Sequence, residues 1–101
     1  MAKNLGGAIL GLLGSERVEL RTAAATVLAA VGKGDKTVAA ALSARLTDSD
    51  AAVRRIALEA LADSDAAELA PRLVPVLRGE DAWLAERALE LLTEQIGRAH
   101  V

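Results

Sequence analysis

The sequence predicts an all-α fold built as an α-solenoid of three tandem helix hairpins. Hydrophobic residues make up 52% of the chain, yet Phe and Tyr are absent and there is one Trp. The apolar volume is therefore Ala, Leu and Val, which favours closely packed helices over strands. Apolar residues recur with helical spacing, and the same pattern returns along the chain. A chain of 101 residues is one domain at most.

The clearest unit is residues 48–61, an acidic turn followed by an amphipathic helix. Asp48 or Asp50 is the expected N-cap, because a short acidic side chain can accept hydrogen bonds from the first free N–H groups of a helix. The helix has one apolar side at the spacing i, i+3, i+4, i+7, i+8. Its members are Val53, Ile56, Ala57, Ala60 and Leu61.

The same criteria predict five further helices, separated by turns rich in glycine and acidic residues. They cover about residues 5–13, 17–31, 35–46, 66–77 and 82 onwards, with Asp35 as the expected N-cap of the third. The predicted inward-facing residues are Leu5, Ile9, Leu12 and Leu13, then Leu20, Ala23, Ala24, Val27, Leu28 and Val31, then Val38, Leu42 and Leu46, then Leu69, Leu73 and Leu77, and finally Leu84, Ala88, Leu91 and Leu92.

Superimposing the helix pairs shows three repeats, at about residues 5–37, 38–68 and 69–95. Equivalent positions lie 33 residues apart at the first step and 31 at the second, which places the length difference in the loop between residues 61 and 69. The equivalent sets are Leu5, Val38 and Leu69; Ile9, Leu42 and Leu73; Leu13, Leu46 and Leu77; Leu20, Val53 and Leu84; Ala24, Ala57 and Ala88; and Leu28, Leu61 and Leu92.

The repeat resembles HEAT repeats, and most of all the short bacterial repeats of phycobilisome lyase-type proteins. The residues that carry the resemblance are Asp48, Asp50, Val53, Arg54, Ala57 and Leu61. The first repeat has Leu20 and Arg21 in place, whereas the third has Ala85 where the arginine is expected. The resemblance implies a right-handed α-solenoid. It also implies a structural ladder in which Arg21 and Arg54 bond acids or carbonyl groups of neighbouring turns, Asp48 and Asp50 among them.

The sequence contains no motif whose residue types and spacing match a catalytic site, a cofactor site or a metal site. Cysteine is absent, and His100 is the one histidine. Asp48, Asp50, Asp63 and Asp65 are acidic, but each lies in a turn before a helix, where capping explains it better than metal binding. Residues 32–37 lack the spacing of a phosphate-binding loop and follow a helix instead of a strand. We therefore expect no catalytic residues, no cofactor and no metal.

The remaining candidate is a surface, since the second helices of such hairpins are expected to line a concave side. The stripe predicted to bind a partner consists of Thr22, Arg55 and Glu86; Ala25, Leu58 and Leu89; Thr26, Glu59 and Glu90; and the nearby Trp83. The leading hypothesis is a non-catalytic protein-interaction scaffold. Two alternatives are a subunit of a phycobilin lyase-like enzyme and a HEAT-like nucleic-acid-binding module. A net charge of −2 argues against the last of these.

The ends of the chain give two further expectations. Residues 5–13 are apolar but too short to cross a bilayer, so we expect a cytoplasmic protein with no membrane partner. Residues 96–101 can be encoded by a widely used short-read sequencing adapter, which predicts that they are not native. The chain would then be a fragment of a longer bacterial repeat protein, and its uncapped C-terminal end would be open to self-association.

Overall fold

The computed structural model describes residues 2–64 and 66–99, and in this part of the chain every regular element is helical. The prediction of an all-α fold is confirmed. A 3₁₀ turn, Arg45–Thr47, lies between the third and fourth helices. The helices are α1 (Ala2–Leu12), α2 (Val18–Val31), α3 (Lys36–Ala44), α4 (Ala51–Leu61), α5 (Ala66–Leu77) and α6 (Ala82–Ala99).

Two helix ends differ from the prediction. The third helix was expected to run to Leu46, but α3 ends at Ala44 and the chain tightens into the 3₁₀ turn. The Arg45 N–H donates to the carbonyl groups of both Leu42 and Ser43, as is common where an α-helix tightens at its end. The first helix was expected to begin at about residue 5, but α1 begins at Ala2. Helix α6 continues to Ala99, and the repeat boundary at residue 95 stays a prediction.

The helices fall into two compact units, residues 1–61 and 62–101. In the first unit α1 packs on α2, α3 packs on α4, and α2 packs on α4. This unit is therefore two hairpins stacked through their second helices, which is the arrangement expected of neighbouring repeats. In the second unit α5 packs on α6 as a third hairpin.

Small and medium aliphatic residues form the cores, and repeat-equivalent positions recur among them. Among the described side chains, the buried apolar residues of the first unit are Leu13, Ala24, Ala25, Leu28, Val38, Leu42, Leu46, Val53, Ala57, Leu58 and Leu61. Those of the second unit are Leu69, Leu73, Val76, Leu84, Ala88 and Leu91. Alanine at several of these sites lets the backbones approach closely, which suits helix packing without aromatic residues.

Among the described side chains, five residues predicted to face inward are exposed instead: Leu12, Ala23, Val27, Val31 and Leu77. The side chain of Leu5 lies outside the described ones. The prediction is wrong for these residues for a physical reason. A helix in a stack of hairpins has an apolar arc that faces several neighbours, and periodicity identifies the arc without showing which neighbours are present.

The turn between α2 and α3 depends on two glycines. A Cβ atom on Gly32 would lie 2.6 Å from Val38 Cγ1 and 2.8 Å from the Leu28 carbonyl oxygen, closer than real Cβ contacts. Gly34 has a φ of +83°, in the left-handed region that favours glycine. The turn therefore requires glycine at position 32 for space and at position 34 for conformation.

Gly32→Ala is expected to lower the free energy of unfolding by about 1–3 kcal/mol, because the added methyl group overpacks the contact with Val38 and a backbone carbonyl. Urea denaturation followed by circular dichroism measures the change. Gly7→Ala is the matched control. Gly7 lies inside α1, and a Cβ atom added to it would meet nothing within 4 Å, so alanine there should stabilise the chain by about 0.5–1 kcal/mol. Equal effects of the two substitutions would contradict this account.

Candidate functional site

Asp48 is the centre of a cluster of charged residues in the first unit. Its side chain is only 2% exposed. Arg21 donates two hydrogen bonds to it, from Nε to Oδ2 at 2.9 Å and from Nη2 to Oδ1 at 3.1 Å. Arg45 Nη1 donates to Oδ2 at 3.3 Å, and the Asp50 backbone N–H donates to Oδ1 at 2.9 Å. Both carboxylate oxygens are thus satisfied, as burial of a charge requires.

The arginines of this cluster also bond backbone carbonyl groups. Arg21 Nη1 donates to the carbonyl groups of Ser15 at 2.8 Å and Glu16 at 3.2 Å. Arg54 Nη1 donates to the Asp48 carbonyl at 2.7 Å. Arg21 therefore joins the turn before α2 to the turn before α4, and Arg54 secures the second of these turns to its own helix.

Arg45 belongs to the cluster but was not predicted from the sequence. In addition to Asp48, its Nη1 donates to the Leu13 carbonyl at 3.0 Å, which ties the end of the first hairpin's α1 to the 3₁₀ turn. One sequence signal could have identified it. The equivalent residues in the other repeats are Leu12 and Val76, so Arg45 is a cation at an otherwise apolar position.

The cluster shifts the titration of Asp48. Burial raises the pKa of its carboxyl group, but the hydrogen bonds from Arg21 and from the Asp50 N–H, together with the charges of Arg21 and Arg45, outweigh burial and lower the pKa below its ordinary value. The carboxylate therefore remains ionised and fully engaged by its donors. It is suited to fixing the turn, and its oxygens are poorly placed to take up a proton from a substrate or to bind a cation.

This shift predicts a loss of stability in acid. Because the pKa of Asp48 is lower in the folded than in the unfolded chain, its contribution is complete above the unfolded value of about 4 and is lost as the pH falls toward the folded pKa. The midpoint of urea denaturation should therefore decrease as the pH is lowered from about 4 toward the folded pKa of Asp48. This decrease should be smaller in Asp48→Asn, because Asn has no carboxyl group to titrate at position 48. Equal decreases in the parent and the variant would show that Asp48 is not the source of the acid sensitivity.

Other acidic residues of the turns cap helices. Asp35 Oδ1 accepts from the N–H groups of Thr37 and Val38 at 2.8 and 3.2 Å, so its predicted capping role is confirmed. Asp50 Oδ2 accepts from the Val53 N–H at 3.1 Å, and Asp81 Oδ1 accepts from the Leu84 N–H at 3.0 Å. These bonds satisfy N–H groups that have no partner within the helix.

Metal-binding chemistry finds no support in the part of the chain that the structure describes. No group of three or more His, Asp or Glu side chains is placed there to hold an ion. Asp63, from the acidic cluster of the sequence, is exposed. Asp65 and His100 lie outside the described residues.

The predicted partner-binding stripe is only partly on the surface. Thr26, Arg55 and Glu59 are exposed in the first unit, and Trp83, Glu86, Leu89 and Glu90 are exposed in the second. Thr22 is half-buried, and its hydroxyl donates to the Val18 carbonyl at 2.8 Å.

Ala25 and Leu58 were expected to face outward, and this expectation is wrong, since both are 0% exposed. The physical reason is that α2 and α4 pack on each other as well as on the first helix of their own hairpin. Each of these second helices must therefore bury a wider arc than a hairpin alone requires.

The exposed side of each second helix consequently lies further around the helix axis than the predicted stripe. Positions that the prediction omitted, such as Glu19 in α2 and Ala52 in α4, are exposed and are equivalent to Trp83 in α6. Within each unit separately, we use the term second-helix surface for these exposed residues of its second helices: Glu19, Thr26, Ala30, Ala52, Arg55 and Glu59 in the first unit, and Trp83, Glu86, Glu90 and Glu94 in the second. A sequence signal could have identified this surface, because none of its sets of repeat-equivalent positions is apolar in all three repeats.

Among the described residues, no helix is both long enough and apolar enough to cross a membrane.

Comparison with known proteins gives one positive result. The HEAT-repeat family matches residues 7–93, which is well over half of the chain and spans all three hairpins. No curated protein and no solved structure matches the chain. The family match agrees with the structure, in which helix hairpins recur and the second helices of the first unit pack side by side. The chain belongs to the HEAT-repeat family.

Proposed function

We propose that the chain is a non-catalytic protein-interaction module whose second-helix surface in α6 binds a basic segment of a partner protein. HEAT repeats commonly mediate protein interactions, which supports the general class. The observation that carries the specific proposal is the composition of this surface in the second unit. It combines Trp83, which is 41% exposed, with the exposed carboxylates of Glu86, Glu90 and Glu94.

These four residues suit one type of partner. They follow each other at spacings of three to four residues, so they lie along one side of α6. Arg87 Nη1 donates to Glu90 Oε2 at 3.4 Å, so one arginine of the same helix partly offsets the three carboxylates. The row remains acidic overall and attracts lysine or arginine side chains. An exposed Trp can pack against aliphatic groups and can also hold a cation over its ring, and Trp is a frequent hot-spot residue in protein interfaces. The preferred ligand is thus a basic helix or strand with an apolar anchor.

Selection from a peptide display library tests this proposal, with titration of the selected peptides into the intact chain. Trp83 is the only Trp, so its fluorescence reports directly on binding at this surface. We expect basic peptides to be enriched, and Trp83→Ala or Glu90→Lys to weaken their binding at least about tenfold, which corresponds to about 1.4 kcal/mol. Because Trp83→Ala has no Trp, the variants and the parent are compared by the fluorescence anisotropy of labelled peptides. The matched control is Glu19→Lys, a charge reversal on the equivalent surface of α2. Selected peptides that bind both α6 variants as tightly as the parent would contradict the proposal.

The nucleic-acid alternative is disfavoured by the same surface. Binding to duplex DNA requires cations that neutralise phosphates. The second-helix surface carries two glutamates and one arginine in the first unit and three glutamates in the second. Fluorescence anisotropy with labelled duplex DNA at low salt tests this directly. The expected result is no binding by the parent.

The lyase-like alternative followed from the resemblance to one HEAT subtype, and no contact described above favours it. An absorbance shift on mixing the chain with a bilin and an apo-phycobiliprotein would support it. The assignment of residues 96–101 to adapter sequence also stays a prediction, as does the placement of the chain within a longer bacterial protein in the cytoplasm. Independent sequencing of the gene beyond codon 95 tests both the tail and the length.

A further inference from the structure

An arginine of α6 is bonded to the acidic row formed by the carboxylates of Glu86, Glu90 and Glu94. Arg87 Nη1 donates to Glu90 Oε2 at 3.4 Å, a contact between residues three positions apart in the helix. Arg87 follows Trp83 by four positions, and helix side chains three or four positions apart are neighbours. Along α6, Arg87 therefore lies between the apolar anchor and the central carboxylate of the proposed binding surface.

The contact between Arg87 and Glu90 is of a kind that another cation can replace. It is one hydrogen bond at 3.4 Å, and 64% of the Glu90 side chain is exposed. Arg21 and Asp48 differ in both respects, since two hydrogen bonds of 2.9 and 3.1 Å join side chains that are 11% and 2% exposed. Exposed ion pairs contribute little to stability, because water competes for both charges. The Glu90 carboxylate can therefore change its cation without a large loss of stability.

Position 87 is apolar in the other two repeats. The equivalent residues are Ala23 in the first repeat and Ile56 in the second. Arg45 is likewise a cation at an otherwise apolar position, but its partner Asp48 is buried, whereas the carboxylate that Arg87 contacts is exposed. The bond from Arg45 holds a turn together, and the bond from Arg87 acts at a surface.

A basic partner meets Arg87 in two ways. A lysine or arginine that pairs with Glu90 replaces the bond from Arg87, because both cations use the same carboxylate. The displaced guanidinium remains near the incoming cation, and like charges at such a distance repel one another even in water. Trp83 and Glu90 are seven residues apart, about 10 Å along the axis of α6, so a partner that contacts both passes over Arg87.

We propose that Arg87 is a built-in competitor for the cation of the partner and limits the affinity of the α6 surface. This inference rests on the function proposed above and adds how that surface is regulated. In the free chain the Arg87 guanidinium occupies Glu90, and binding exchanges it for a cation of the partner. The competition selects ligands that also place an apolar group on Trp83 over ligands that carry charge alone.

Titration of a fluorescein-labelled oligoarginine peptide that ends in leucine tests this inference, with anisotropy as the readout. The intact 101-residue chain is compared with its Arg87→Gln variant, since Gln is a good helix former without a charge. We expect Arg87→Gln to bind the peptide about threefold more tightly, because one competing bond and one repulsive charge are removed. Arg87→Lys keeps the charge and should bind like the parent. Circular dichroism verifies that each variant is folded, and Arg87→Met replaces Arg87→Gln if it is not.

Combination with Glu90→Gln separates competition from the general effect of charge. Glu90→Gln removes the carboxylate that both cations use, so the addition of Arg87→Gln to it should change the affinity by less than about twofold. An equal gain in both backgrounds would overturn the competition, because Arg87 would then act only through its charge at a distance. Arg78→Gln is the matched control, since Arg78 is an exposed arginine of the same unit and its replacement changes the net charge equally. It should leave the affinity within about twofold of the parent.

The outcomes distinguish this inference from the proposed function. Suppose that Trp83→Ala and Glu90→Lys weaken the binding of the peptide, but Arg87→Gln binds it no more tightly than the parent. The competition is then overturned, and the binding surface stands. Peptide binding that none of these three substitutions changes, or no binding by either the parent or Arg87→Gln, would overturn both.

Discussion

Leu58→Glu is expected to unfold the chain, whereas Leu89→Glu is expected to leave its stability nearly unchanged. The two residues occupy equivalent positions of successive repeats, but Leu58 is 0% exposed and Leu89 is 57% exposed. A carboxylate at position 58 would be buried among aliphatic groups without a partner, and the cost of several kcal/mol is comparable to the whole stability of a small domain. A carboxylate at position 89 can remain in water.

Thermal and urea denaturation followed by circular dichroism measures both variants. A low protein concentration is required, so that association does not stabilise the parent relative to the variants. We expect Leu89→Glu to change the free energy of unfolding by no more than about 0.5 kcal/mol, as is usual at an exposed site. A folded Leu58→Glu variant with the midpoint of the parent would show that the position faces solvent, as the predicted stripe required.

Asp48→Asn is expected to cost about 3 kcal/mol of stability, because it removes the anion that pairs with both Arg21 and Arg45. Arg21 has a side chain only 11% exposed, so its charge would lose its partner in a poorly solvated place. The bidentate hydrogen bonds to both carboxylate oxygens would also be lost in part, since the amide nitrogen of Asn cannot accept.

Asp50→Ala is the matched control for this prediction. It removes the N-cap bond to the Val53 N–H from the same turn but leaves the Asp48 cluster in place. The expected cost is about 1 kcal/mol, typical of a lost cap. If Asp48→Asn costs no more than Asp50→Ala, the cluster contributes little beyond ordinary turn geometry. Denaturation at neutral pH compares the two.

Periodicity and turn composition were sufficient to predict the helices. The predicted fifth helix coincides with α5, Ala66–Leu77, because acids and glycines mark its ends and leucines at i, i+4 mark its buried side. Residues that face their own hairpin partner in every repeat, such as Leu42 and Ala57, are buried as predicted. These contacts are local in sequence, so a local pattern can report them.

Which apolar residues of the second helices are exposed could not be predicted in the same way. Val27 and Ala25 are both apolar, and the sequence alone placed the first inside and the second outside, the reverse of the structure. The difference depends on which neighbouring helix is present on each side of α2, and a helical period contains no information about neighbours. Arg21, by contrast, was identified through family resemblance, and its contact with Asp48 connects residues 27 positions apart.

Thiol labelling tests the central claim most directly, namely that equivalent positions of the three repeats differ in exposure. The chain has no cysteine, so single substitutions at Ala25, Leu58 and Leu89 each introduce one reporter. At low protein concentration under native conditions, we expect the cysteine at position 89 to react at least about 100-fold faster than those at 25 and 58, since buried thiols react only through opening of the structure. Similar rates at all three positions, with each variant shown to be folded, would contradict the account.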